Sequence, residues 1–334
     1  MKHIRRPAVS LPTLRKGGKG WDETDTRATQ FEVGQNVTEV NTGFTPYWGN
    51  ADVRGALWAM HGRSCTYCDR ELHGNDRGDV EHFRPKNVYW WLAYQFQNYL
   101  LACSVCNSSY KSNRFPILPL GAAFAYPMKD QLEQEPRALL DPAVDAIDGW
   151  FGINFDLEQE KREGFQITIN STLGSPEAQR CVITRDFFRL NLDSELLKAR
   201  QIAIHSALKL ANRALDGDQV TLNELRQRAI RYCPHSFAVR QVIVLHAKRP
   251  QYLPTHEEEV AWLVDELLSM LRFALNALDE RAAASKESDM RDRCAWALAV
   301  LMKDPPALGT VAIRDRLQSE NVLAMVQPLY DAIK

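Results

Sequence analysis

The chain has 334 residues, of which 45% are hydrophobic and 25% charged, a balance that supports a packed core under a solvated surface. Forty-one basic residues against 42 acidic ones leave a formal net charge of −1, which excludes a uniformly basic coat for nucleic acid but not a local basic patch. With no apolar run of 18 residues no membrane span is expected, and the start of the chain lacks the apolar stretch of a signal peptide, so a cytoplasmic location is expected.

Residues 1–45 are rich in Gly, Thr and charge and read as an irregular basic arm. Lys2, Arg5, Arg6, Arg15, Lys16 and Lys19 fall in its first 20 residues, with no acidic residue among them. Such an arm is either a solvated, mobile terminus or a contact for nucleic acid or a partner protein. From Pro46 to Met60, the spacing of Trp48, Val53, Leu57 and Trp58 predicts a short helix leading into a cysteine pair. Residues 65–116 hold nearly all the unusual chemistry, within a module expected at 46–130. Pro116, Pro119, Gly121, Pro127, Pro136 and Pro142 mark an ordered connector, and residues 131–175 add a small hairpin, signalled by the alternating run Phe165–Ile169 before Asn170-Ser171. Residues 176–334 are predicted helical. Leu197, Ile204, Leu208, Ala211 and Leu215 keep helical spacing until Gly217. Thr221 with Glu224, and Thr255 with Glu258, fit capping boxes. Val260, Val264, Leu267, Leu271, Leu275 and Leu278 form one apolar stripe; Met290, Cys294, Ala297, Leu298 and Leu301 form another, ended by Pro305-Pro306. A last helix is expected from about Ser319, kinked at Pro328. These stripes are the pattern of a helical core rather than of a ligand pocket.

Seven cysteines are present. Cys65, Cys68, Cys103 and Cys106 form two C-x2-C pairs, and in a reducing cytosol paired knuckles point to metal rather than disulfides. Four thiolates close a tetrahedral zinc site and leave no open position for substrate, so the expected role is structural. A chance pairing or a redox dithiol is the plainer alternative, but a redox C-x2-C normally occurs once. Cys181, Cys233 and Cys294 are scattered singly and read as small buried apolar residues.

Between the knuckles lies Asp79-Val-Glu-His-Phe-Arg-Pro-Lys86. A carboxylate and an amide oxygen, from Glu81 and Asn107, are hard donors suited to Mg²⁺. A neutral imidazole at His82 is able to take a proton from water. Metal plus base is the chemistry of phosphodiester hydrolysis. Taken alone, His82 is more often a surface or core histidine; the company of Glu81, Asn98 and Asn107 inside a zinc frame is what shifts the reading.

These residues resemble the HNH endonuclease family, of the ββα-metal fold, in its zinc-stabilised form. The resemblance implies an α+β, mostly α protein: a small zinc-bound ββα-metal module followed by a helical domain. It implies His82 as general base, Glu81 and Asn107 as ligands of one divalent ion (Mg²⁺ or Mn²⁺), Asn98 as the residue that orients the loop carrying His82, and Cys65, Cys68, Cys103 and Cys106 as zinc ligands. The third family position is Asn107 rather than His, a variation that bears on metal preference. Glu-His-Phe-Arg-Pro-Lys at 81–86, Tyr89-Trp-Trp-Leu-Ala-Tyr94, Lys111-Ser-Asn-Arg-Phe-Pro116, Leu139-Leu-Asp-Pro142 and patches from Leu190 to Arg200 are similar to the PtuB nucleases of bacterial Septu and retron-linked anti-phage systems. That narrower likeness implies a defence role, a PtuA-like ABC-type ATPase as partner, and a retron reverse transcriptase with its multicopy DNA. The helical domain would then dock a partner.

The run Tyr89, Trp90, Trp91, Tyr94 and Phe96 reads first as the core of the small module or an interface, and second as a stacking surface for bases. Arg84, Lys86, Lys111 and Arg114 flank the motif and are expected to contact phosphates of DNA or of structured RNA such as tRNA. A non-catalytic zinc adaptor that binds nucleic acid or bridges proteins is the alternative. It needs the cysteines but not Glu81, His82 and Asn107.

Overall fold

The computed structural model describes residues 1–32, 42–72, 77–120, 132–280, 285–304 and 308–334. Gly121, Pro127 and Pro305-Pro306 lie outside the described residues, as does part of the expected arm. The described chain is mostly helical with two small two-stranded sheets. No helix among the described residues is long and apolar enough to cross a membrane. The chain divides into two compact units, each built from separate stretches. Unit 1 is Met1–Ile4, Arg63–Asp79 and Leu101–Pro254; unit 2 is Arg5–Gly62, Val80–Leu100 and Thr255–Lys334.

In unit 2, helix Ser285–Lys303 is buried without a break from Cys294 to Met302. A helix that is apolar all round belongs at the centre of a core. It packs against helices Ala51–His61, His256–Glu280 and Leu323–Ala332. Gly55 permits the closest approach: a Cβ there would lie 2.3 Å from the Trp296 Cβ and 2.7 Å from the Arg293 carbonyl oxygen. Helix His256–Glu280 starts with the expected capping box, the Thr255 N–H donating to Glu258 at 2.7 Å and the Glu258 N–H to the Thr255 hydroxyl at 3.3 Å. The last two helices are Gly309–Ser319 and Leu323–Ala332. Ser319 therefore ends a helix instead of opening one, while Pro328 does sit inside the final helix.

The expected irregular arm is corrected in both units. In unit 2 it contains helix Lys19–Glu32, which buries only Gly20 and Arg27 and so lacks the apolar stripe that sequence reading relies on. Leu11 is buried, and the carboxylate of Asp52 accepts from the Thr13 N–H and hydroxyl at 2.9 and 2.8 Å. Arg15 donates to the Ala332 carbonyl at 3.0 Å. In unit 1, Met1, Lys2 and Ile4 are buried, and the Lys2 ammonium donates to Ser64 and lies 3.9 Å from Asp69.

Unit 1 also holds β3 (Phe151–Ile153) paired antiparallel with β4 (Ile167–Ile169), in register Phe151 to Ile169 and Ile153 to Ile167. The expected hairpin is thus an open one, because helix Leu157–Glu163 lies in the connection. Helices Ser175–Phe187, Ser194–Leu215, Gln219–Arg228 and Ser236–Gln241 follow. The helix Ser194–Leu215 is turned slightly from the expected phase: Leu196, Arg200, Ile204, Ala207, Leu210, Ala211 and Ala214 face inward, and Leu215 is exposed. Thr221 does not open its helix. Asp218 is the cap, accepting the Thr221 N–H and hydroxyl, and an Asp at this position outranks Thr. Cys181 and Cys294 are buried as expected, whereas Cys233 is only half-buried.

The remaining strands, β1 (Asp79–His82) and β2 (Tyr99–Ala102), form the other two-stranded sheet, and a short π-helix, Val105–Lys111, follows β2. This is the strand–loop–strand–helix order expected from the motif.

Candidate metal centre and nuclease site

In unit 1 each C-x2-C pair sits in a tight turn. The Asp69 N–H donates back to the Cys65 carbonyl and the Cys65 N–H to the Arg70 carbonyl, both at 3.0 Å. Asp69 takes a left-handed φ of 61° to close that turn. In the second turn the Asn107 N–H donates to the Cys103 carbonyl at 2.9 Å, and the Cys106 N–H reaches the Cys103 sulfur at 3.4 Å. The Sγ atoms of Cys65, Cys68, Cys103 and Cys106 are all buried and lie within 4.8 Å of one another. Zinc–sulfur bonds of about 2.3 Å set the corners of a tetrahedron about 3.8 Å apart, and the Cys68 and Cys103 sulfurs are 3.8 Å apart.

The electrostatics of the cluster also ask for a cation. Burial pushes the Cys68 thiol well above its ordinary pKa. Hydrogen bonding to the Cys103 sulfur does the same to Cys106. Cys65 goes the other way: although burial opposes it, contacts with the Cys103 and Cys106 sulfurs hold it low. One thiolate is tolerated among neutral thiols, and a full set of thiolates requires a metal ion. The donor set and its dimensions fit zinc. Around it, burial works against the Arg70 guanidinium, but the Cys68 and Cys103 sulfurs and Asp193 outweigh that and hold its pKa above the usual range. Burial brings Arg200 down to about 10, with Cys68, Asp69 and Asp193 opposing. These cations offset the negative charge of four thiolates, and neither was singled out from sequence.

Asn107 is half-buried at the start of the π-helix, and its Nδ2 donates to the Asp79 carboxylate at 3.0 Å. That bond uses the amide nitrogen; the amide oxygen is the electron-pair donor of the side chain. Asp79 was not singled out from sequence; it is the carboxylate that accepts from Asn107. Arg114 is exposed, with its guanidinium 4.9 Å from the Phe187 ring centre. Lys111 is corrected: it is fully buried, which removes it from any surface that meets phosphates.

Unit 2 carries the loop after β1. The Phe83 N–H donates to the Asn98 carbonyl at 2.8 Å, continuing the strand pairing. The buried Asn98 side chain then brackets Arg84: its Oδ1 accepts the Arg84 N–H at 2.8 Å, and its Nδ2 donates to the Arg84 carbonyl at 2.9 Å and the Leu92 carbonyl at 3.3 Å. The His82 Nε2–H donates to the Ala93 carbonyl at 3.0 Å. A carbonyl only accepts, so this bond selects the Nε2–H form of the neutral ring and puts the lone pair on Nδ1. Tyr99 donates to the same carbonyl at 2.6 Å. Glu81 and His82 are both buried, at 2% and 7% exposure. Arg84 and Lys86 are partly buried, and the Lys86 ammonium sits 5.1 Å from the Trp48 ring centre. Tyr89, Trp90, Trp91, Tyr94 and Phe96 are all buried, so the aromatic run is core, as first read, and not an exposed stacking platform.

Comparison with known proteins places a family on this segment. Residues 65–113 match the model of the HNH endonuclease family. A Septu protein PtuB of Bacillus mycoides (strain KBAB4) is 35% identical over 103 residues, 26% of this chain and 35% of that protein. A Septu protein PtuB of Bacillus thuringiensis is 33% identical over 75 residues, 21% of this chain and 29% of that protein. The chain thus spans about a third of the length of the curated relatives it matches. No solved structure matches. Residues 65–113 are an HNH endonuclease domain, built around a buried four-cysteine cluster.

Proposed function

We propose that this chain is a metal-dependent HNH nuclease of bacterial anti-phage defence that hydrolyses phosphodiester bonds of DNA, or of structured RNA such as tRNA, in the cytoplasm. The observation that carries the reading is the His82 imidazole in the HNH domain, whose Nε2–H is committed to the Ala93 carbonyl so that Nδ1 is the basic atom. On the motif match, His82 takes the proton of the attacking water. Glu81 and Asn107 offer oxygens to one divalent ion, Mg²⁺ or Mn²⁺, and Asn98 keeps the loop after His82 in place. The ion, when bound, stabilises charge on the phosphate and the leaving oxygen. Arg84, Lys86 and Arg114 meet neighbouring phosphates, which makes binding fall with salt. The sulfur cluster takes zinc in a structural role.

The likeness to Septu PtuB proteins supports a PtuA-like ABC-type ATPase as partner, with the helical region 176–334 as its docking part. The reverse transcriptase implied by the broader resemblance has no support in these relatives, and the proposal leaves it out. The test incubates the purified chain, with and without the ATPase, with plasmid DNA and total tRNA, in Mg²⁺ and in EDTA. Mg²⁺-dependent cleavage of either nucleic acid is expected. Tight nucleic-acid binding with no cleavage in any arm would favour the zinc adaptor instead.

A further inference from the structure

The family match begins at residue 65, yet one contact of His82 comes from outside it. Trp48 lies in the 3₁₀ turn Tyr47–Gly49 of unit 2. Its ring meets the His82 imidazole edge to face, with centres 4.8 Å apart and planes at 89°. Tyr99 meets the imidazole a second time, at 5.0 Å and 77°. The Nε2–H bond to the Ala93 carbonyl adds a third restraint of another kind. Trp48 is itself fixed. Tyr94 stacks on it at 5.8 Å and 30°, and the Tyr94 hydroxyl donates to the Thr45 carbonyl at 2.8 Å, tying the turn to the loop of the HNH domain. The Lys86 ammonium adds a cation–π contact to the Trp48 ring.

We propose that Trp48 is a positioning residue for cleavage: it holds the His82 imidazole so that Nδ1 faces the attacking water. This rests on the nuclease reading above. An edge-to-face wall from the Trp48 ring restricts rotation of the imidazole about its χ angles. An error of about 1 Å in a reacting group costs on the order of 100-fold in rate. Trp48 acts through His82, so its loss should appear in kcat and not in KM.

The full chain is compared with Trp48→Ala and Trp48→Phe, with zinc content and melting temperature measured alongside. The expected result for Trp48→Ala is a kcat lower by roughly 10- to 100-fold with KM nearly unchanged, and recovery of most of the loss in Trp48→Phe. Nitrogen-15 NMR of the histidine rings, with His82 assigned by its loss in His82→Ala, should show the Nε2–H form in the parent and an averaged tautomer in Trp48→Ala. A raised KM at unchanged kcat would mean that Trp48 touches nucleic acid directly, and overturns the proposal. An unchanged kcat, or His82 resonances that do not move, also overturns it. Should Trp48→Ala lose its zinc or its fold, Trp48→Leu takes its place with the same outcomes. If the parent chain cleaves nothing, the nuclease reading fails, and the NMR comparison alone decides whether Trp48 orders the imidazole.

Discussion

Replacing Asn98 by Ala isolates the loop that follows His82. The side chain makes three hydrogen bonds, at 2.8 Å from the Arg84 N–H and at 2.9 and 3.3 Å to the carbonyls of Arg84 and Leu92. Asn98 is 4% exposed, so no bulk water is waiting to replace it. Each bond contributes about 1 kcal/mol net, and a buried group left unmatched costs about 1–3 kcal/mol. The longest of the three is the weakest, which leaves two full bonds to set the scale. The expected loss is therefore about 2–3 kcal/mol of unfolding free energy. Asn98→Asp keeps the acceptor for the Arg84 N–H but sets a carboxylate against two carbonyls, so it should fare no better than Ala. Urea denaturation measures the loss, and amide hydrogen exchange at Arg84 locates it. A change below about 0.5 kcal/mol, within the range of an ordinary surface substitution, with the Arg84 amide as protected as before, would refute the view that this side chain holds the loop.

Other consequences follow from single contacts. Cys103→Ser removes a sulfur from a buried cluster and should cost the bound zinc and the fold of the HNH domain, read by metal analysis and circular dichroism; a soluble, zinc-free, active variant would contradict the structural role. Gly55→Ala gains about 1 kcal/mol in helix propensity but puts a Cβ 2.3 Å from that of Trp296, so a net loss of about 1–2 kcal/mol from overpacking is expected in thermal melts. His235 is pushed down to about 4, first by burial and then by Arg200, Arg70 and the N-terminal ammonium. The unfolded chain takes up that proton first, near pH 6.5. The stability it contributes is therefore complete above pH 6.5 and is lost as pH falls toward 4, about 3 kcal/mol in all. Urea melts at pH 7.5 and 5 should show a smaller acid loss in His235→Asn than in the parent, and equal losses would refute the assignment.

What sequence reveals here depends on whether the signal is local. The two cysteine pairs carry their own spacing, so the cluster is legible before any coordinates. Glu81, His82, Asn98 and Asn107 are legible only as a motif; nothing in periodicity says that Asn98 brackets Arg84. The helix Lys19–Glu32 escapes because it buries almost nothing apolar. Lys111 misleads because lysine is ordinarily exposed, and here it is fully buried. β4 shows its alternation, but its partner lies across a helix and leaves no short-range trace. Asp218 outcompetes Thr221 as a cap, a contest between neighbours that spacing alone does not settle. The Trp48 contact joins residues 34 apart in sequence, and no local pattern encodes it.

The most direct measurement is cleavage by His82→Ala beside the parent chain, under conditions where the parent cuts nucleic acid. The imidazole of His82 is the proposed proton acceptor, and loss of such a base costs about 10²- to 10⁴-fold. The account predicts a folded variant with its zinc intact and a cleavage rate reduced by at least about 100-fold. A variant that cuts at the parent rate would contradict it.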